Sequence, residues 1–287
     1  MDSEARRTIV KNDFYAVYKK LVDAVRRDDE MTVHLTLFKH FGDPSEFAHH
    51  RVSLLDFVRQ IKRLDSLTQT IDEYPVILAA KLGSTTILTK LHLFGFSLQE
   101  TDIDGCDAMM YACHEGNLAM VNWLLDHGFE IKQKDLQGWT ALHYAAAMGN
   151  EEIVRRVFPF CKTADERTLQ GLTPLHLAAA EGKTSVVDYL ISRGAQVDAK
   201  DSTGMTPTMH AAIDGHTETI ATLVLNGASK ETQSIESMRP FDYACLNGHQ
   251  EAALALKIEP VALDKTFRGR TLGDWIRKHR MYALVAK

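Results

Sequence analysis

Gly171-Leu172-Thr173-Pro174-Leu175-His176-Leu177-Ala178-Ala179-Ala180-Glu181-Gly182 opens one structural unit of this 287-residue chain and decides its fold. Thr173 can cap a helix, and Pro174 is favoured in a first helical turn, so a helix begins here. A second apolar pattern at helical spacing runs from Thr184 to Arg193 and ends before Gly194. The stretch predicts a short helical hairpin followed by an extended finger.

Glycine repeats this unit at a fixed interval of 33 residues. One ladder is Gly83, Gly116, Gly149, Gly182, Gly215 and Gly248, a second is Gly105, Gly138, Gly171 and Gly204, and a third is Gly95, Gly128, Gly194 and Gly227. A period in this range indicates a stacked repeat array, in which each unit buries its apolar face against its neighbours. The third ladder lacks a rung at Cys161, next to Phe158-Pro159-Phe160, so we expect a local distortion there.

The helix starts resemble those of the ankyrin-repeat family. Thr173-Pro174-Leu175-His176-Leu177-Ala178 matches the ankyrin signature, and Thr140-Ala141-Leu142-His143-Tyr144-Ala145 repeats it. Looser copies begin at residues 74, 107, 206 and 239, and His210 lies one place after the family's histidine position, which is Met209. The resemblance implies an all-α fold: an ankyrin-repeat solenoid of stacked helix-turn-helix units with short β-hairpin-like fingers.

Three regions are expected along the chain. Residues 1–71 form an N-terminal helical cap, made of a degenerate repeat and an inserted amphipathic helix near 46–65; residues 72–258 form six repeats; residues 259–287 form a basic capping helix. Alternatives stay open for two of these segments. The basic side of the inserted helix either binds a partner or is the solvated side of a cap. The basic tail contacts anionic lipid, acts as an import signal, or covers the last repeat through Trp275 and Ile276.

Composition and charge limit the functional classes. The chain is 45% hydrophobic and 25% charged, and it shows neither a membrane-spanning stretch nor a secretory signal, so we expect a cytoplasmic or nuclear protein that is not secreted. Its four cysteines have no pairing pattern. Residues 72–258 contain 14 basic and 24 acidic side chains, whereas residues 259–287 contain seven and three. An acidic repeat surface disfavours nucleic acid and suits a basic protein segment.

No pattern indicates an enzyme, a cofactor or a metal site. The chain lacks a glycine-rich phosphate loop, a nucleophile elbow and a metal-binding helix motif. Cys106, Cys113 and His114 are better explained as packing and surface residues than as ligands, and adjacent His49 and His50 do not face each other on a helix. We therefore predict a binding protein that is not an enzyme.

The resemblance places binding on the concave face, formed by finger tips and first-helix ends. The residues expected there are Cys106, Glu115, Leu136, Trp139, Met148, Leu169, Leu172, Glu181, Met205 and Asp214. Trp139, Met148 and Leu172 form the expected apolar centre, because aromatic side chains dominate many interfaces. The competing interpretation is that finger residues pack on neighbouring fingers and that the acids are an ordinary solvated face.

The resulting hypothesis is an adaptor or scaffold that binds a basic or mixed basic and apolar segment of another protein. One alternative is a regulatory inhibitor that docks on a folded enzyme. Another is the recognition domain of a larger multidomain protein. The fold does not name the partner, since ankyrin arrays serve many pathways. Membrane binding is not expected.

Overall fold

The computed structural model describes residues 16–41, 74–131, 133–257, 263–267 and 269–284. The inserted helix expected near residues 46–65 and the His49-His50 pair lie outside these ranges. The chain divides into two compact units, Met1–Leu136 and Gln137–Lys287. The described secondary structure is almost entirely helical, with one pair of two-residue strands, which confirms the all-α expectation.

The first unit contains six described helices. They are α1 (residues 16–26), α2 (Glu30–Phe41), α3 (Pro75–Lys81), α4 (Thr85–Leu93), α5 (Ala108–His114) and α6 (Leu118–Asp126). Helix α3 packs on α5, and α4 packs on both α2 and α6, so like helices of successive hairpins lie side by side. Their facing sides are apolar and buried, as in Ile87, Leu91 and Leu124.

The second unit contains four helical hairpins and a C-terminal segment. The helices are α7 (Ala141–Met148), α8 (Glu151–Val157), α9 (Pro174–Ala180), α10 (Thr184–Ser192), α11 (Pro207–Asp214), α12 (Thr217–Leu225), α13 (Pro240–Asn247) and α14 (Gln250–Leu256). Helices α7, α9, α11 and α13 pack in succession, and so do α8, α10, α12 and α14. Strands β1 (Thr266–Phe267) and β2 (Arg270–Thr271) pair antiparallel before α15 (Leu272–Lys278), which packs on α13.

Buried histidines tie helix starts to the next finger. The Nδ1 atom of His176 accepts the backbone N–H of Thr173 at 3.1 Å, and its Nε2 atom lies 3.1 Å from the carbonyl oxygen of Met205. His143 makes the same contacts with Thr140 and with the carbonyl oxygen of Leu172. Both histidines therefore have a structural role.

The predicted distortion near Cys161 is present. Helix α8 ends at Val157 and is seven residues long, whereas α6 and α10 are nine residues long. A 3₁₀ turn over Phe158–Phe160 follows, and Cys161 adopts an extended conformation in place of a left-handed glycine. Pro159 has no N–H to continue the α-helical bonds, and a non-glycine residue avoids the left-handed region, so the helix stops early.

The second glycine ladder is required both by the backbone conformation of the turns and by their close packing on the next finger. Gly171 has a φ of +77°, and a Cβ there would lie 2.9 Å from the backbone nitrogen of Ser202 in the next finger. Adjacent fingers approach this closely because the N–H of Ser202 donates to the carbonyl oxygen of Gln170 at 2.9 Å. Only glycine fits both conditions without displacing the neighbouring finger.

A second set of histidines packs against the glycines that follow first helices. The Nε2 atoms of His216 and His249 lie 2.8 and 2.9 Å from the carbonyl oxygens of Ala180 and Ile213. Their rings also fill the space beside Gly182 and Gly215. His279, just after α15, makes the same bond to the carbonyl oxygen of Leu246 at 3.1 Å. The C-terminal segment thus makes the same histidine contact with the last hairpin that His216 and His249 make with the hairpins before their own.

Candidate functional site

The tips of the fingers carry exposed aliphatic side chains at one repeated position. In the second unit these tips are Leu169, Ser202 and Ile235, which we call the finger row; Leu169 and Ile235 are each 74% exposed. In the first unit, Ile103 and Leu136 occupy the same position and are 75% and 64% exposed. The tips therefore do not bury their side chains on neighbouring fingers.

Backbone hydrogen bonds fix the spacing of the finger row. The N–H groups of Leu169, Ser202 and Ile235 each donate to the preceding finger, at Gln137, Gln170 and Thr203, over 2.8 to 3.0 Å. In the first unit, the N–H of Leu136 donates to the carbonyl oxygen of Asp104 at 2.8 Å. The exposed side chains are therefore held on a ladder of hydrogen-bonded turns, which limits the entropy lost when a partner binds.

Residues just after the turn glycine are more enclosed than the tips. Trp139, Leu172 and Met205 are half-buried. The Trp139 ring lies 5.1 Å from the Tyr144 ring and 6.1 Å from the His143 ring, so much of the indole packs within its own repeat. Cys106, at the same position in the first unit, is 8% exposed, with its Sγ atom 4.0 Å from Asp135 Oδ2. This burial corrects the expectation that Cys106 faces a partner.

The residues at the C-terminal ends of the first helices, each just before a glycine, are exposed in both units. In the second unit Met148, Glu181 and Asp214 form what we call the helix-end row, since they occupy equivalent positions at the ends of helices that pack side by side. Met148 is 41% exposed. In the first unit Glu115 is exposed, and its Oε1 atom lies 3.0 Å from Nδ1 of His114. An apolar residue and two carboxylates are thus available to a ligand of the second unit.

The fingers are braced from the first helix by a residue nine positions later. His210 Nε2 lies 2.9 Å from Asp201 Oδ2, the Tyr111 hydroxyl donates to Asp102 Oδ2 at 2.6 Å, and the Tyr243 hydroxyl donates to Ser234 at 3.0 Å. Burial raises the pKa of Asp201, but hydrogen bonds from His210, Thr203 and nearby backbone groups outweigh it and hold that pKa below its usual range. His210 therefore holds a finger, a role that its one-place shift in sequence did not indicate.

Burial affects the reactivity of two cysteine thiols. Burial raises the pKa of both Cys161 and Cys245 to about 12, so their thiols stay protonated and poorly nucleophilic at neutral pH. Among residues 16–41, 74–131, 133–257, 263–267 and 269–284, no three His, Cys, Asp or Glu side chains converge to hold a metal ion. None of the described helices is long and apolar enough to cross a bilayer.

Sequence reasoning missed Ile235, whose side chain is as exposed as that of Leu169. The signal was available, because Ile235 lies 33 residues after Ser202 and therefore at the next finger tip. The finger tips are more exposed than Trp139, which packs on Tyr144. The exposed apolar surface therefore lies mainly at the tips and not around Trp139, where the sequence predicted it.

Comparison with known protein families shows the family to which the chain belongs. The sequence model described as ankyrin repeats (3 copies) matches residues 76–165, 158–234 and 175–266. No curated protein matches the chain. Ankyrin repeats are generally protein–protein interaction modules, and proteins built from them are typically not enzymes. The helical hairpins, the hydrogen-bonded fingers and the family match over most of the sequence agree, and the chain belongs to the ankyrin-repeat family.

Proposed function

We propose that this protein is an adaptor or scaffold that binds a segment of another protein along its fingers and first-helix ends. The observation that carries the proposal is the exposure of Leu169 and Ile235 on the finger row, held in a fixed backbone ladder. Exposed apolar side chains grouped on one surface are a common mark of a protein-binding site, and the ladder holds these two on fingers of one array. The first unit offers Leu136 and Glu115 at the corresponding positions.

The charges of the helix-end row indicate which kind of partner segment would bind. Glu181 and Asp214 are exposed and follow Met148 along neighbouring helices. The net charge of residues 72–258 is strongly acidic. We therefore propose a partner segment that alternates basic and aliphatic residues, with aliphatic side chains on the finger row and cations opposite the carboxylates. Leu172, Met205 and the exposed part of Trp139 would line the floor between the two rows.

The place of action proposed is a reducing compartment, the cytoplasm or the nucleus. None of the four cysteines, all of which lie in the described ranges, forms a disulfide, and Cys106, Cys113 and Cys245 are buried in the core. Such buried thiols act as small packing residues and form no cross-link.

A peptide selection tests the proposal directly. A random peptide library displayed on phage is selected against the wild-type chain, and enriched peptides are synthesised and titrated. We expect enrichment of Lys or Arg with Leu, Ile or Val, and loss of binding in the Leu169→Asp/Ile235→Asp variant. The matched control is Leu225→Asp, which adds an acid at an exposed leucine outside the finger row.

A second pair of variants separates charge from shape. Glu181→Lys/Asp214→Lys reverses the helix-end row, whereas Glu218→Lys/Glu251→Lys reverses two exposed acids in the first turns of α12 and α14. Only the first pair is expected to abolish binding of the basic peptides. Equal losses with both pairs, or peptides without basic residues, would contradict the proposed segment. A partner that binds only as a folded enzyme would favour the inhibitor alternative.

A further inference from the structure

The C-terminal end of the second unit places two cations against one tryptophan. Trp275 of α15 is half-buried. The Nζ atom of Lys278 lies 4.5 Å from the centre of its ring, and the Cζ atom of Arg270 lies 5.5 Å from it. The indole Nε1 donates to the carbonyl oxygen of Phe267 at 3.3 Å. We call Arg270, Trp275 and Lys278 the basic indole cluster.

Two carboxylates at this end of the unit are paired with other cations. Asp242, fully buried, accepts from Lys265 Nζ at 2.7 Å, and Asp274 pairs with Arg277. Within the described residues of the second unit, neither Arg270 nor Lys278 contacts a carboxylate, although both side chains are exposed. Two like charges held at one ring repel each other, and an anion placed beside both would relieve that repulsion.

The geometry distinguishes a protein ligand from a membrane. A tryptophan that enters a bilayer needs an open ring, but here two cations lie over the indole and its N–H is already bonded. The apolar residues of α15, Leu272 and Ile276, are buried and offer no face to lipid. These observations favour carboxylates carried by a polypeptide.

We propose that the basic indole cluster binds an acidic segment of a partner protein. Arg270 supplies a planar fork for a carboxylate and Lys278 a compact second charge, while Trp275 fixes the position of both side chains. The chain would then carry two recognition surfaces of opposite sign, an acidic one on the repeats and a basic one at the C-terminal end. The second surface does not depend on the first being correct.

Fluorescence anisotropy of a labelled polyglutamate peptide with the full chain tests the cluster. The Arg270→Gln/Lys278→Gln variant keeps much of each side-chain stem and removes both charges. We expect it to weaken binding about tenfold, because two exposed ion pairs with the peptide are lost together. The matched control, Lys19→Gln/Lys20→Gln, removes two exposed charges from α1 and is expected to leave affinity within a factor of about two.

Three results would overturn the proposal. Equal weakening in the cluster variant and the control would show diffuse attraction rather than a site. Tight binding to phosphatidylserine vesicles that is lost in the cluster variant, with no effect on the peptide, would make the ligand a lipid. Self-association in sedimentation that the cluster variant abolishes, again with no peptide effect, would make the occupant a second copy. Circular dichroism of each variant establishes that the helices are intact.

Discussion

His176 joins its own repeat to the next finger, because its Nε2 atom donates to the carbonyl oxygen of Met205 over 3.1 Å while Nδ1 accepts from Thr173. This pair of bonds requires the neutral imidazole with its proton on Nε2. A second proton on Nδ1 would break the bond to the helix start. The repeat therefore depends on the protonation state of one buried ring.

Stability is expected to fall as the pH drops through the range in which this ring titrates. Burial, followed by the nearby His210, lowers the pKa of His176 from 6.5 to about 4. The unfolded chain takes up the proton first, so the contribution of the neutral ring is complete above pH 6.5 and is lost between pH 6.5 and about 4. The expected loss is on the order of 3 kcal/mol.

Urea unfolding at a series of pH values checks this expectation. The difference in free energy of unfolding between wild type and His176→Asn should shrink as the pH falls through that range. Leu175→Ala, a buried neighbour that does not titrate, should give a difference that does not change with pH. A constant difference for His176→Asn would show that the ring does not carry the effect.

Met209→His is expected to stabilise the protein by about 1 kcal/mol. Thr206 begins α11 with its hydroxyl buried and without a hydrogen-bond partner among the described residues, because the fully buried Met209 stands where Thr140 and Thr173 meet a histidine. An imidazole there would bond Thr206 and reach the carbonyl oxygen of Met238. Thermal unfolding compares it with Met209→Leu, which keeps the volume without the bonds and should bring no gain.

Gly171→Ala is expected to destabilise the protein roughly twice as much as Gly194→Ala. Both glycines have positive φ, so both variants incur backbone strain of about 1 kcal/mol. A Cβ at Gly171 also meets Ser202 at 2.9 Å, whereas nothing lies within 4 Å of one at Gly194. Chemical denaturation of the two variants measures the difference. Equal losses would mean that the fingers separate at little cost.

Lys265 and Asp242 are expected to be coupled by at least about 1 kcal/mol. Asp242 is fully buried, takes the place of the histidine in α13, and is contacted by Lys265 at 2.7 Å and by the backbone N–H of Arg239 at 2.9 Å. Lys265→Met should therefore cost more in the wild-type background than beside Asp242→Asn. A double-mutant cycle from denaturation curves provides the value, and additive losses would contradict the pairing.

Much of the local structure could be predicted because it depends on short-range chemistry. Thr173 and Pro174 start α9 where the sequence places them, and the missing glycine at Cys161 coincides with the early end of α8. Ser237 was harder to foresee: it adopts a φ of 57° at the place of a ladder glycine, although serine carries a cost there. Turn geometry imposed by the neighbouring finger overrides that preference.

Side-chain exposure was predicted less well than backbone position. The period makes Cys106, Trp139 and Met205 equivalent, but Cys106 is buried while the others are half-buried. The direction of each ring or thiol depends on what stands beside it, such as Tyr144 next to Trp139. A single sequence contains the equivalence of positions but not the rotamers, so the finger tips are more exposed than Trp139, which the sequence placed at the centre of the apolar surface.

The bonds of His216, His249 and His279 bear on how such an array can lengthen by duplication of a repeat. A repeat inserted ahead of α13 could make this histidine contact with both of its neighbours. His216 and His249 each make the same contact with the first helix of the preceding hairpin, so the repeats are interchangeable in this respect. A copy added after α14 would have to displace His279 from Leu246 and remove the packing of α15. Growth of this lineage is therefore favoured from within the array and opposed at its C-terminal boundary.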